Sequence, residues 1–244
     1  RGLSSEVSFQ VHNYFPPPSR PFVFNLASMD AEISKLSIRH ALDSMRLSLD
    51  LGTQIYSFHA GYLLDPIVDE LGKTIRSQKL SHRKDAIEVF LENVNLLADA
   101  ALKDGMSLLV ENNVFSFNNH RQFGQNPFLM TSADECIYIM RNTPSNVNLL
   151  IDVAHLKVSA NTMGYDPIEF LKACNFWINA YHLSDNDGMT DSNQSFSEES
   201  WFWPHLKPSL NYYSIEVYSR KIHEILQLYH FTQAKINNFP GNAR

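Results

Sequence analysis

The chain has 244 residues and 44% apolar content, too apolar for a disordered protein and long enough for one large domain with a substantial buried core. Twenty Lys and Arg stand against 26 Asp and Glu, a formal charge of −6, and no block of like charge offers a footprint for nucleic acid or an anionic membrane. Cys136 and Cys174 lie far apart without a CxxC pattern, which argues against a disulfide framework and for a reducing compartment.

No apolar run reaches the roughly 18 residues of a transmembrane helix, and no signal peptide precedes the first element. A cytoplasmic protein without membrane contact is the resulting expectation. The first residue is Arg1, not methionine, so a missing natural N-terminus is expected as well.

In chain order, the first β-rich run is 7–12, ending at His12. A proline-rich loop follows, with Pro16, Pro17, Pro18 and Pro21, where helix is excluded. Ser28 or Asp30 can cap the next segment, in which Ile33, Leu36, Ile38, Ala41, Leu42, Met45 and Leu49 recur at roughly helical spacing until Gly52. The second run is 54–59, ending at His59.

A long amphipathic helix is predicted over 83–103, with Ile87, Phe90, Leu91, Val94, Leu97, Ala98 and Ala101 on one side and Gly105 after it. The third run is 107–111, ending at Glu111. A long loop rich in Asn and Phe then runs to about Met130, and a helix starts near Ser132. The fourth run is 147–152, ending at Asp152. A helix over about 167–174 precedes the fifth run, 178–183, which contains His182. The sixth run, 212–217, contains Glu216, and a closing helix covers about 220–229.

Several of these runs are continuously apolar, the signature of parallel strands covered on both faces. Strands alternating with helices, without an internal linker or a solenoid repeat, predict one α/β domain over 1–244.

One feature organises the functional reading. Each predicted strand ends in a potential metal ligand: His12, His59, Glu111, Asp152, His182 and Glu216. In a β/α barrel the C-terminal strand ends open into one crater, where active sites are built. His, Asp and Glu together suit Zn2+, Mn2+, Fe2+ or Co2+. Taken singly, a His at a strand end is more often a hydrogen-bonded structural residue, and a Glu after an apolar strand is often entering solvent. Carboxylates in or beside strongly apolar strands, however, are rarely buried without a partner, and a shared cation supplies one.

The motifs "VHNYFPPPSRPFVFNLAS", "YSFHAGY", "LLVENN", "LLIDVAHLKVSA", "AYHLSDNDG" and "YSIEVYS", in this order and spacing, resemble the xylose isomerase-like barrels, a superfamily of sugar epimerases and isomerases, inosose dehydratase and the endonuclease IV enzymes. The resemblance covers nearly the whole chain and implies a (β/α)8 TIM barrel. Six strands are counted where eight are expected, and the first motif resembles the family's third strand. The chain is therefore expected to lack the first one or two βα units.

In the epimerase branch the positions matching Glu111, Asp152, His182 and Glu216 hold one divalent metal, and the position of His155 touches substrate. In the endonuclease IV branch the positions matching His12 and His59 are also ligands, in a three-zinc cluster whose third ion needs an Asp-x-His pair. Here that stretch reads Asp191-Ser192-Asn193, with Asn in place of His.

The resemblance thus implies a metal-dependent sugar or sugar phosphate isomerase or epimerase. It would bind Mn2+, Zn2+, Co2+ or Mg2+ and move a proton through an enediolate, with Glu111 and Glu216 as acid/base pair. His155, His59 and His12 are the candidate substrate contacts, and His12, His59 and Asp191 a candidate second metal site. Asp185 or Asp187 is placed to orient His182, although a solvated loop is the simpler role for Asp187.

A zinc-dependent abasic-site endonuclease is the alternative. It calls for a positive surface, which a charge of −6 does not favour. A barrel that only binds sugar would dispense with the acid/base glutamates, which are present. The expected partner is a small carbohydrate, with no nucleic acid or membrane, and a homo-oligomer is compatible with the reading. Two readings stay open for the aromatic segment 196–203 and for Phe115, Phe117 and Phe123: a wall or lid over the crater, or side chains that pack helices.

Overall fold

A computed structural model of the chain describes residues 8–70, 75, 79–210, 212–218 and 221–239. The sequence expectations at Val7 and Arg220 lie outside them. Two compact units are found: one holds the described residues up to Glu111 with 127–130 and 138–148, the other 112–126, 131–137 and the described residues from Leu149 on.

The first unit carries β1(Val11–His12), α1(Ala31–Asp50), β2(Ile55–His59), α2(Arg83–Lys103) and β3(Ser107–Glu111). The strands are parallel: Val11 pairs with Tyr56, and β2 runs in unbroken register with β3 until His59 meets Glu111. Tyr56, Phe58, Leu108 and Val110 are fully buried, as expected of strands covered on both faces.

The predicted cap of α1 is Asp30, whose carboxylate accepts from the amides of Glu32 and Ile33, an arrangement worth about 1 kcal/mol over alanine. Its buried face differs from the expected one. Ser37, His40, Ala41, Ser44, Met45 and Ser48 point inward, while Leu42 is exposed. The serines tolerate burial because Ser44 and Ser48 donate to the carbonyls of His40 and Ser44, at 2.8 and 3.0 Å. The first strand is shorter than predicted, two residues in place of a run from Val7.

Behind β1, Asn13 adopts a left-handed conformation (φ 45°), and its carbonyl accepts from the His40 ring at 3.1 Å and the Tyr56 hydroxyl at 3.0 Å. Burial pulls the His40 pKa below the usual imidazole range, partly offset by that carbonyl. The loop after β2 is tied to the segment before α1 through Asn25, whose side chain accepts from the amides of Ala27 and Tyr62, both at 3.0 Å. This close approach requires Gly61: a Cβ there would stand 2.3 Å from the Ala27 Cβ and 3.0 Å from its amide. Gly61→Ala is expected to lower stability by about 1–3 kcal/mol, read as a drop in the urea midpoint. An unchanged midpoint would mean that the two loops part without cost.

The second unit carries α3(Phe117–Phe123), α5(Val153–Met163), α6(Pro167–Cys174), β5(Ile178–Leu183), β6(Tyr213–Ile215) and α7(Ile222–Asn237), with β4(Val147–Asp152) from Leu149 on. β4 pairs parallel with β5 so that Asp152 meets His182, after a register shift at 149/150, and β5 pairs parallel with β6 so that His182 meets Ser214. A remaining helix, α4(Ala133–Arg141), begins next to the predicted Ser132.

The helix α3 lies inside the stretch read as loop. It is started by a reciprocal box between Ser116 and Asn119 and stopped by Gly124 in the left-handed region. The helix α5 was not expected either, and α7 runs eight residues beyond the predicted end at Tyr229. Cys136 and Cys174 are buried free thiols. They are neighbours in space, for burial and then Cys174 push the Cys136 thiol well above its usual range.

The aromatic segment packs a helix: Phe196, Phe202 and Trp203 are buried, and the Phe196 and Trp203 rings lie 6.4 and 5.6 Å from Phe231 of α7. Phe115 is likewise buried, its amide held by Ser159 at 2.9 Å. Phe117 is exposed, and Phe123 is half-buried. Among the described residues, no helix is long and apolar enough to cross a membrane.

Candidate metal centre

In the first unit the strand register sets the geometry. His59 and Glu111 are partners at the ends of β2 and β3, and His59 Nδ1 lies 3.4 Å from the Glu111 Oε2. His12, on β1, pairs with Ser57, which is two residues before His59 and so on the same face of β2. Its Nε2 reaches the same Glu111 oxygen at 3.3 Å, while its Nδ1 meets the Ser57 hydroxyl at 2.9 Å. The two imidazoles stand edge to face with centroids 5.4 Å apart.

The Glu111 side chain is fully buried. The Tyr62 hydroxyl is raised above its usual pKa by burial, and the Glu111 charge adds to this. Three of the six strand-end residues are thus brought together here, with Ser57 as a neighbour that the sequence did not single out.

The second unit assembles the other three. Asp152, His182 and Glu216 each offer one ligand atom, and these atoms lie within 4.8 Å of one another. Pairing of Asp152 with His182 puts them side by side at the strand ends, and the Glu216 amide donates to the Leu183 carbonyl at 3.0 Å, which brings its side chain next to His182. His182 Nδ1 is 3.0 Å from Glu216 Oε1, and His182 Nε2 is 3.2 Å from the Tyr212 hydroxyl. Asp152 also caps α5: its Oδ1 accepts from the amides of Ala154 and His155 at 2.7 and 2.8 Å.

His155 lies on the first turn of α5, buried. Its Nδ1 is 3.0 Å from the Asn112 carbonyl and its Nε2 3.3 Å from Asp191 Oδ2. A carbonyl only accepts, so Nδ1 carries a proton and Nε2 faces the carboxylate. Asp191, proposed from sequence for a second metal, is therefore the partner of His155.

Asn112 braces this arrangement. Its side chain accepts from the Asp152 amide at 2.8 Å and donates to the Asp152 carbonyl at 3.2 Å, while its own carbonyl holds His155. Its only signal in the sequence was a pair of asparagines directly after a strand.

Asp185 does not orient His182. Its carboxylate takes the Lys157 ammonium at 2.6 Å and the Ser200 hydroxyl at 2.9 Å. Asp187 is exposed and accepts from the amides of Met189 and Thr190, which lowers its pKa. It closes a solvated turn, the simpler of its two readings.

Residues 4–225 match the xylose isomerase-like TIM barrel family, and the chain belongs to it. The sequence matches none of the curated proteins. Among solved structures, a D-tagatose 3-epimerase-like protein superposes with TM-score 0.71 at 18% identity, over 96% of this chain and 78% of its own. The D-psicose 3-epimerase of Clostridium cellulolyticum H10, solved with D-tagatose, gives TM-score 0.59 at 14% identity, over 87% and 74%. A family 2 AP endonuclease from Brucella melitensis gives 0.57 at 15%, over 81% and 67%. At these identities the likeness is one of fold.

Proposed function

We propose that this member of the xylose isomerase-like barrels is a divalent-metal-dependent sugar or sugar phosphate isomerase or epimerase. The observation that carries the reading is the trio Asp152, His182 and Glu216, each with a ligand atom within 4.8 Å of the other two at neighbouring strand ends. One imidazole and two carboxylates fit Mn2+, Zn2+, Co2+ or Mg2+. Since the family's fold turns all strand ends to one face, Glu111 is proposed as the fourth ligand. A bound ion would polarise the substrate carbonyl and stabilise the negative charge that develops when the adjacent carbon loses its proton.

The chain's own groups divide the remaining work. Glu111 and Glu216 take the proton and return it, one from each side of the carbon. Asp152 and His182 serve as ligands. His155, its ring held by the Asn112 carbonyl and its Nε2 facing Asp191, binds a substrate hydroxyl together with that carboxylate. His12 and His59, against Glu111, complete the substrate side.

The alternative, a zinc-dependent endonuclease acting on abasic DNA, is favoured by one observation: both His12 and His59 converge on one Glu111 oxygen. It is disfavoured by Asn193, where a third zinc would need His, and by the charge of −6. Elemental analysis of the purified protein, beside turnover assays on ketoses and on abasic-site DNA, separates the two. One metal per chain with ketose turnover is expected. Three zinc ions with incision of DNA would replace the isomerase reading.

A further inference from the structure

We infer that Tyr212 is a positioning residue for the metal ligand His182, an inference that rests on the metal reading above and concerns which ring nitrogen takes the ion. Tyr212 and Glu216 flank the short strand β6, one on each side of it, with Ser214 at its middle. His182 is in register with Ser214. Its ring therefore lies between the two flanking side chains, with Nδ1 toward Glu216 at 3.0 Å and Nε2 toward the Tyr212 hydroxyl at 3.2 Å. The ring is almost wholly buried and meets the tyrosine edge-on, centroids 6.1 Å apart at 87°. Two ligands bound at about 2.1 Å to one ion stand about 3 Å apart when they subtend a right angle, so the spacing of Nδ1 and Glu216 Oε1 suits a shared ion. Nδ1 is accordingly the coordinating nitrogen.

Coordination at Nδ1 requires that this nitrogen carry no proton. The single proton of the neutral ring then sits on Nε2 and needs an acceptor in a buried place. The Tyr212 oxygen is that acceptor. A hydroxyl also donates, which a carboxylate or carbonyl does not do. With no ion bound, the ring proton sits on Nδ1, 3.0 Å from Glu216 Oε1, and Nε2 accepts from the tyrosine hydroxyl at 3.2 Å. With the ion bound, Nε2–H donates to the tyrosine and Nδ1 turns to the metal. The ring holds one proton in both states: Nδ1 gives its proton up to solvent or to Glu216, Nε2 takes one in exchange, and the hydroxyl turns from donor to acceptor.

The test uses the full chain stripped of metal and titrated with Co2+ alone, read by the ligand-field absorption of the ion and by calorimetry. Tyr212→Phe removes one oxygen and is expected to weaken Co2+ binding about 10–100-fold, with the metal-free melting temperature lowered by no more than the loss of one buried hydrogen bond. Equal Co2+ affinity in variant and wild type would overturn the inference. A wild-type chain that binds no Co2+ would instead overturn the metal reading itself. Should Tyr212→Phe fail to fold, the wild type decides. With 15N-labelled histidine and bound Zn2+, His182 is expected to be metallated at Nδ1 and to keep a slowly exchanging Nε2 proton. Zinc on Nε2, or rapid exchange of that proton, would refute the role of Tyr212.

Discussion

Replacing Glu216 by Gln is expected to cut turnover of an accepted ketose by about two to four orders of magnitude, the range lost when a positioned acid/base group is removed. The amide keeps the shape and one ligand oxygen but cannot take a proton. Glu216 sits after the three-residue strand β6 with its side chain 29% exposed, so it can reach both an ion and a substrate, unlike the enclosed Asp152. Metal content is measured on the same sample, because the proposal gives Glu216 two duties. A variant that retains its metal and loses turnover supports proton transfer. A variant that loses both leaves Glu216 with the ligand role alone.

Uptake of deuterium from solvent into the substrate reports the proton step directly, whichever sugar is formed. Turnover without deuterium uptake could mean a hydride shift or a shielded proton, and Glu216→Gln decides between them. Full activity in that variant would end the carboxylate-pair mechanism.

Most of the strands were legible because their hydrophobic content is dense. β3, β4 and β5 have the predicted bounds, and β2 is one residue shorter. Each is a run of Val, Leu, Ile, Phe or Tyr too continuous for a surface element. The helix α2 was equally plain, since Phe90, Val94, Leu97 and Ala101 repeat at helical spacing and are all buried. What failed were places where one residue serves two elements or where polar groups are satisfied locally. The helix α5 begins at Val153 with no loop after β4, so no turn signal separates it from the strand. The helix α3 was hidden because its box uses Asn119 where Glu or Gln is the usual signal. The inner face of α1 was misjudged because serines that bond back along the helix can replace apolar side chains.

The site was legible at the level of residue type, for carboxylates embedded in apolar strands stand out. Its wiring was not. Nothing in a linear sequence says that Asp185 answers to Lys157, that Asp191 faces His155, or that Tyr212 meets His182. These pairings follow from register and loop path, which are set only when the sheet forms.

Asp152 is the residue where this doubling can be taken apart. Its Oδ1 caps α5 through two amides, and the residue also offers a ligand atom to the trio with His182 and Glu216. Asp152→Asn preserves an oxygen for the cap, since Asn and Asp are comparable in that position, but removes the charge that attracts the ion. Asp152→Ala removes both. The alanine variant is expected to lose about 0.5–2 kcal/mol of stability without metal. The asparagine variant should melt at or above the wild type, because a buried negative charge near Glu216 is gone.

Both variants should bind Co2+ more weakly than the loss of about 10–100-fold typical of a partner outside the coordination sphere. The cap also holds the first turn of α5, which carries His155. In Asp152→Ala, therefore, any residual activity should show a raised KM beyond that of Asp152→Asn. If Co2+ affinity survives in both variants while Asp152→Ala alone loses stability, Asp152 is a helix cap and not a ligand, and the proposed centre loses the residue that ties β4 to it.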